Sequence, residues 1–380
     1  NRNLQNAIDA SGPGDTLILH GNFPWWDGEE YLSGRRTTIG AKTNLTLIAD
    51  ETDGASVSGN ERDALLIWGS TNITVAGITF SLHNAHGINI TSSSDVLVSN
   101  CTLRANTGSG SGKNGLYATS GPVTVKDCTV DVTTSHTGID TRNDSHNSLI
   151  QNNTITNCSI GIILWGDDSQ AIGNTVSHCS ETGIHAGNGN DRAIVRSNTV
   201  HHCGTGMGNG VAKSTEYSYN VVYSNTVGIG IDPDYNGSGR TGYQVDHNTV
   251  YGNGTGIRIA DVHYVDYHQV AANIVVGNGT GIDFDNIADS GGTVPDILYS
   301  VLWNNTTDYA NDAVAATKTG VVTFDPGFHS TDPAHKWFLQ LGPATPQAVL
   351  TTGDDSNHGG AAYMGAIEPY FPAGTVISVQ

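Results

Sequence analysis

A chain of 380 residues with 36 acidic and 16 basic side chains, net charge −20, has no basic stripe to hold phosphate, which excludes nucleic acid as a partner. None of its apolar runs is long enough to span a bilayer as a helix, and no membrane partner is expected. Charged residues are only 14% of the chain and Gly reaches 48, a composition that suits strands and tight turns and excludes long surface helices.

The chain opens on Leu4-Gln5-Asn6-Ala7-Ile8-Asp9-Ala10, a short amphipathic helix closed by Gly12-Pro13-Gly14-Asp15, after which Thr16-Leu17-Ile18-Leu19 begins a strand. No signal peptide is visible, and Asn1 reads as the trimmed start of a mature protein. The acidic, Thr- and Asn-rich character suits a secreted or periplasmic setting.

From Gly87 onward a Gly followed by an apolar residue recurs: Gly87-Ile88, Gly115-Leu116, Gly138-Ile139, Gly161-Ile162, Gly183-Ile184, Gly206-Met207, Gly228-Ile229, Gly256-Ile257 and Gly281-Ile282. Successive spacings are 28, 23, 23, 22, 23, 22, 28 and 25. A second column, Asn153, Asn174, Asn198, Asn220, Asn248 and Asn273, has the same period, and most members precede Thr-Val or Thr-Ile. Two offset columns with one period describe a coil that stacks on itself and lengthens by adding rungs. The fold expected is all-β, a single right-handed parallel β-helix solenoid treated as one domain over 1–380. Residues 1–20 form its N-terminal cap, 40–330 its repeats and 331–380 a loop-rich C-terminal cap, with Thr375-Val376-Ile377-Ser378-Val379 as one more strand.

Each Asn is placed at a bend, where its amide hydrogen-bonds up the stack. Five cysteines without CxxC spacing argue against a metal site. Cys158, Cys179 and Cys203 share one offset, Cys101 and Cys128 another, and all five are expected as small apolar residues stacked inside the coil, with one bridge between stacked partners left open.

In a Gly-φ-x-φ-x strand the third and fifth side chains point outward. The third-position column then runs Leu66, Asn89, Tyr117, Asp140, Ile163, His185, Gly208, Gly230, Arg258 and Asp283. The fifth runs Trp68, Thr91, Thr119, Arg142, Trp165, Gly187, Gly210, Asp232, Ala260 and Asp285. At a rung spacing of about 4.8 Å, neighbours in a column are nearly in contact. Aromatic faces there suit sugar rings, and the acids, Arg and His suit hydrogen bonding and proton transfer.

The repeat resembles the right-handed parallel β-helix superfamily of carbohydrate-active proteins, which includes pectate-lyase-like, alginate lyase- or epimerase-like and glycoside hydrolase members. The resemblance covers roughly residues 40–330 and implies a groove for a polysaccharide or oligosaccharide along one sheet. Asp232-Pro233-Asp234 resembles the Asp-Pro-His of mannuronan epimerases, with Asp234 in place of the His. Val211-Ala212-Lys213-Ser214 resembles the Lys-Ser strand of a lyase family whose Arg is replaced here by Asp232. Each departure removes a residue its mechanism depends on, so neither activity carries over.

The residues themselves leave three chemistries open. Hydrolysis, the preferred reading, needs two carboxylates flanking the glycosidic bond: Asp140 with Asp167 or Asp168, tuned by His185 and Arg142. The alternative, a lyase or uronate epimerase, takes Tyr117, Arg142 and His185 as acid, neutraliser and base. The third reading is a non-catalytic glycan-binding or periplasmic solenoid. Tyr117, Trp68, Trp165, Lys213, Asp232 and Arg258 are the expected substrate contacts. No cofactor is required, although Asp283 and Asp285, with Asp261 and Asp289 nearby, suit a structural Ca²⁺. The net charge favours a neutral glycan and hence hydrolysis.

Overall fold

The computed structural model describes residues 2–24, 36–58, 63–82, 86–105, 113–132, 136–187, 192–209, 214–231, 241–260, 265–288, 294–351 and 364–366. The chain forms two compact units, Asn1–Ile194 and Val195–Gln380. Each is built as a parallel β-helix, in which three short strands per coil feed three separate parallel sheets.

In the first unit the helix Arg2–Ala10 buries Leu4 and Ile8 against the first coil. Its Gln5 side chain does the work of a missing strand. The amide donates to the carbonyl of Thr38 at 2.9 Å and accepts the Thr38 N–H at 2.8 Å. Lys42 closes the other end by donating to the carbonyls of Asp9 and Ser11, at 3.0 and 2.7 Å.

The apolar side chains that alternate along each strand line the interior. Leu116, Ile139, Ile162 and Ile184, each following a repeat glycine, are fully buried. The glycines are required by the same packing. A Cβ on Gly138 would stand 2.6 Å from the carbonyl oxygen of Gly161 and 2.6 Å from Ile155, closer than any real side chain approaches.

The bends are held by side-chain ladders. Asn153 N–H and its side-chain amide both donate to Asn174 Oδ1, at 2.9 and 3.0 Å. In the second unit the same arrangement links Asn198 to Asn220, Asn220 to Asn248 and Asn248 to Asn273, with every N–H···Oδ1 distance between 2.9 and 3.0 Å. A second ladder, not read from the sequence, runs through Asn225, Asn253, Asn278 and Asn305 at the next bend. In the first unit a third bend uses hydroxyls, as Ser70 N–H donates to Ser93 Oγ and Ser93 N–H to Ser120 Oγ, both at 3.1 Å.

The residue before a ladder position adopts a left-handed backbone, as at Asn152, Ser197, Tyr219, His247 and Ala272, and at His202 and Ser224 in the second column. Turning the chain sharply there lets one buried amide serve the coil above and the coil below.

The cysteines occupy ladder positions too. Cys128 N–H donates to Asn153 Oδ1 at 2.9 Å, and Cys203 N–H donates to Asn225 Oδ1 at 2.9 Å. One pair of the inward-stacked cysteines is bridged: Cys158 and Cys179 are joined as a disulfide across neighbouring coils, with Cα atoms 4.6 Å apart. In-register stacking brings their Cβ atoms within bridging range. Cys101, Cys128 and Cys203 are free and buried.

In the second unit, segments from Phe324 to Met364 pack on the outer face of the second sheet. Leu341, Val349 and Met364 join Ile274, Val276 and Val301, while Leu339 joins Val221 and Tyr223. The strand expected at 375–379 lies outside the described residues. Among the described residues no helix is long and apolar enough to cross a membrane.

Replacing Asn248 by Ala removes four buried hydrogen bonds, to Asn220 N–H, the Asn220 amide, the Tyr217 carbonyl and Asn273 Oδ1. Since each stranded buried group costs about 1–3 kcal/mol, Asn248→Ala is expected to lower stability by about 3 kcal/mol or more, read as a reduced urea midpoint against the parent chain.

Candidate functional site

The third sheet of the first unit sets Leu66, Asn89, Tyr117, Asp140, Ile163 and His185 side by side on successive strands, by direct pairing of each with the next. Leu116, Ile139, Ile162 and Ile184 point inward beside them, so this column faces out.

Asp140 is nonetheless fully buried on that outer face. Its carboxylate accepts from the Asn114 amide at 2.8 Å and from Arg142 Nε at 2.8 and 3.0 Å. Burial pushes its pKa above the usual carboxylate value, and Arg142 and Asn114 oppose that rise. Arg142 is about one-third exposed. Its guanidinium carbon lies 4.5 Å from the centre of the Trp165 ring and 5.9 Å from that of Tyr117. Asp140 engages only the Nε edge of the fork.

Tyr117 stacks on His86, with ring centres 4.7 Å apart and planes 11° from parallel. His86 Nδ1 accepts the Asn114 N–H at 3.1 Å, which places the proton of the neutral ring on Nε2. Burial lowers the His86 pKa; Asp63 opposes this, while Arg142 and His136 reinforce it. Asp63, itself buried, accepts from Arg36 and Asn89, each at 3.0 Å. Asn114 thus joins the two halves of the cluster, bonding His86 through its backbone and Asp140 through its side chain.

His86, Asn114 and Asp63 were missed in the sequence because they precede the Gly-φ-x-φ-x frame rather than filling its outward positions. The available signal was positional: His86 stands immediately before Gly87 and His136 two residues before Gly138.

The structure does not bring Asp167 and Asp168 beside Asp140. Both lie on the turn after Trp165, four and five residues beyond the Ile163 that pairs with Asp140, a separation on the order of 10 Å. Asp167 N–H donates to His146 Nδ1 at 2.9 Å. Asp168 takes both arms of Arg192, at 2.7 and 2.6 Å, and this pairing lowers its pKa. Asp63 is three strands from Asp140, about 14 Å at the usual strand spacing.

Trp165 extends over Gly187, where a Cβ would stand 1.9 Å from its Nε1. The glycine in the fifth-position column is therefore the seat of the indole. Among the described residues Nε1 is buried without a hydrogen-bond partner. His185 is half-buried, and desolvation lowers its pKa. It lies three strands from Tyr117, about 14 Å away. Trp68 pairs with Thr91 on the same sheet and is 52% exposed, a flat apolar surface open to solvent.

Lys213 and Asp232 lie outside the described residues, as do Asp234, Asp261 and Asp289. Arg258 belongs to the second unit, where it pairs in register with Gly230 and Asp283 and bonds Asp285 at 3.0 Å. Asp283 accepts from Asn311 at 2.7 Å. A guanidinium thus stands beside Asp285, while Asp261 and Asp289, the other two acids of the expected Ca²⁺ set, lie outside the described residues. Among the described residues, three groups of metal-ligand type converge within 4.8 Å at His20, on the first coil, and Asp50 and Asp53, on the second.

The sequence matches the family described as "right handed beta helix region" over residues 49–176 and 137–290. Among solved structures the chain is similar to the pectate lyase Pel9A, at 14% identity and a TM-score of 0.54, covering 96% of this chain and 90% of that one. It is also similar to the Dettilon tailspike protein, at 16% identity and a TM-score of 0.51 over 85% of this chain and 64% of the other. A tailspike protein of E. coli bacteriophage HK620, solved with a pentasaccharide, gives 13% identity and a TM-score of 0.50 over 82% and 66%. At these identities the likeness is one of fold. No curated protein matches the chain in sequence.

The lowered pKa values of His86 and His185 carry a sign for stability. Their unfolded value is 6.5 and the folded values are lower, so between the two the unfolded chain binds more protons. Their stabilising contribution is complete above that value and declines as pH falls from it toward the folded values. The thermal midpoint is expected to drop across this window, and His185→Gln to flatten part of the drop in a pH series.

Proposed function

This chain belongs to the right-handed β-helix family, and we propose that it cleaves a uronate-containing polysaccharide by β-elimination on one flank of its stacked coils. The observation that carries the reading is Arg142, held at its Nε edge by buried Asp140 and packed between Trp165 and Tyr117, with Tyr117 stacked on a His86 kept neutral by burial.

The substrate carboxylate pairs with the outer amino groups of Arg142, and neutralising it acidifies the proton on the adjacent ring carbon. Tyr117, as its phenolate, takes that proton. The electron pair forms the new carbon–carbon double bond as the bond to the glycosidic oxygen breaks, the Tyr117 hydroxyl passes the proton on to the leaving oxygen, and the neutral His86 stacked on it fixes the ring. Asp140 is a positioning residue that fixes the guanidinium plane. Trp165 and Trp68 offer stacking faces for neighbouring sugars, and His185 a polar contact further along the column. A pectate lyase among the structures of like fold supports this substrate class. A secreted or periplasmic location, where such polymers are met, goes with it.

Hydrolysis has the raised pKa of Asp140 in its favour, since it suits a general acid. Among the described residues Asp63 stands three strands from Asp140, beyond the roughly 5–9.5 Å at which paired carboxylates work, and Asp168 is taken by Arg192. The net charge of −20 also favours a neutral glycan; the local cation at Arg142 is what outweighs it here.

A panel of neutral and uronate polysaccharides separates the readings by product. Elimination gives new ultraviolet absorbance from an unsaturated sugar end, hydrolysis gives new reducing ends without it, and a binding solenoid gives neither. We expect absorbance on a uronate polymer, a loss of about 100-fold or more in kcat for Arg142→Ala and for Tyr117→Phe, and about tenfold for Asp140→Asn. Complete loss in Asp140→Asn with reducing ends as the parent's product would transfer the chemistry to Asp140.

A further inference from the structure

In the second unit, His201 and His202 turn their imidazoles toward each other, with the two Nδ1 atoms 2.7 Å apart. Consecutive residues of a strand point to opposite sides. His201 ends the strand Thr199–His201 with Val200 buried beside it, so its ring faces outward. His202 follows in the left-handed column, at φ 56°, and that backbone swings its ring to the same side.

Both rings are held from below by one aromatic surface. His201 stacks on Tyr223 at 4.7 Å and 17°, while His202 meets Tyr223 edge-on at 6.2 Å and 81°. Tyr223 is pinned in turn by Phe338 at 4.7 Å and by the buried cluster of Val221 and Leu339. The imidazole pair is open to solvent on its outer side and oriented from beneath by aromatic packing, the preorganisation a chelating pair requires.

The spacing selects the metal geometry. Two nitrogens each about 2.0 Å from one ion lie about 2.9 Å apart at a right angle and about 3.3 Å apart at the tetrahedral angle. The observed 2.7 Å fits the right angle. Imidazole ligands at right angles suit Cu²⁺, which also heads the affinity order of the divalent first-row ions. From these observations we propose that His201 and His202 form a two-nitrogen chelate for Cu²⁺, distinct from the glycan face of the first unit. In the metal-free pair one Nδ1–H donates to the other Nδ1. On binding, that proton moves to Nε2 of its own ring, both Nδ1 lone pairs face the ion, and water completes the coordination with no net release of protons.

The test uses the full chain without any affinity tag, titrated with Cu²⁺ alone and followed by calorimetry and electron paramagnetic resonance. Expected are one equivalent bound ahead of any weaker sites, a nitrogen hyperfine pattern from two imidazoles, and weaker binding of Zn²⁺. His201→Gln and His202→Asn should each weaken Cu²⁺ binding by roughly tenfold or more. Asn is chosen at 202 because it tolerates the left-handed backbone, and an unchanged thermal midpoint verifies that the variant folds. A His20→Ala variant should leave the tight equivalent intact. Absence of a tight equivalent in the parent, or its survival in both His201→Gln and His202→Asn, overturns the chelate and leaves the pair as a hydrogen bond only. Neither result bears on cleavage of a glycan.

Discussion

Everything in this protein rests on register: a residue in one coil meets its equivalent in the next, and buried amides at the bends enforce it. An Asn in the ladder satisfies both a backbone N–H and a carbonyl of the coil before it, as Asn248 does for Asn220 and Tyr217. A slip of one residue would strand each of these groups in an apolar interior, at a cost of a few kcal/mol per rung. The strands are short, often three to five residues, and have little register preference of their own. The bends supply it.

Because register is fixed at the bends, the outer face of a strand is free to carry chemistry. The cluster around Asp140 uses that freedom by burying an ion pair on the outside of a sheet. Asp140 has no exposed surface, yet it belongs to the outward column; Asn114 and Arg142 cover it and bond it. A carboxylate in that position is expensive unless fully bonded. Its return is orientation: the guanidinium is locked by one edge while aromatic rings flank it.

The fold was legible because its repeat is written in residues that geometry does not allow to change. Gly138 cannot carry a Cβ against the Gly161 carbonyl, and Asn153 cannot be replaced without stranding backbone, so both recur visibly. The second ladder was harder to see. Its Asn225, Asn253 and Asn278 sit among many other asparagines, and three of its places in the repeat are held by cysteine. The site was legible only in its columns. Alternation put Tyr117, Asp140 and Arg142 on one face, but it could not show that Asp168 would be taken by Arg192 or that His86, one residue ahead of the glycine, would stack on Tyr117. Partners supplied by turns obey no period.

The Gln5 amide on Thr38 has a consequence for how such a coil ends. A stack of parallel strands has no natural terminus, since its first strand offers the same unpaired N–H and C=O groups that every other strand uses to bind its neighbour. A second molecule arriving end-on would find a ready template. By lending its own carboxamide to that rim, with the helix behind it burying Leu4 and Ile8, the chain converts an adhesive edge into a closed one. That cover over the rim of the third sheet is supplied by the nine residues of the first helix.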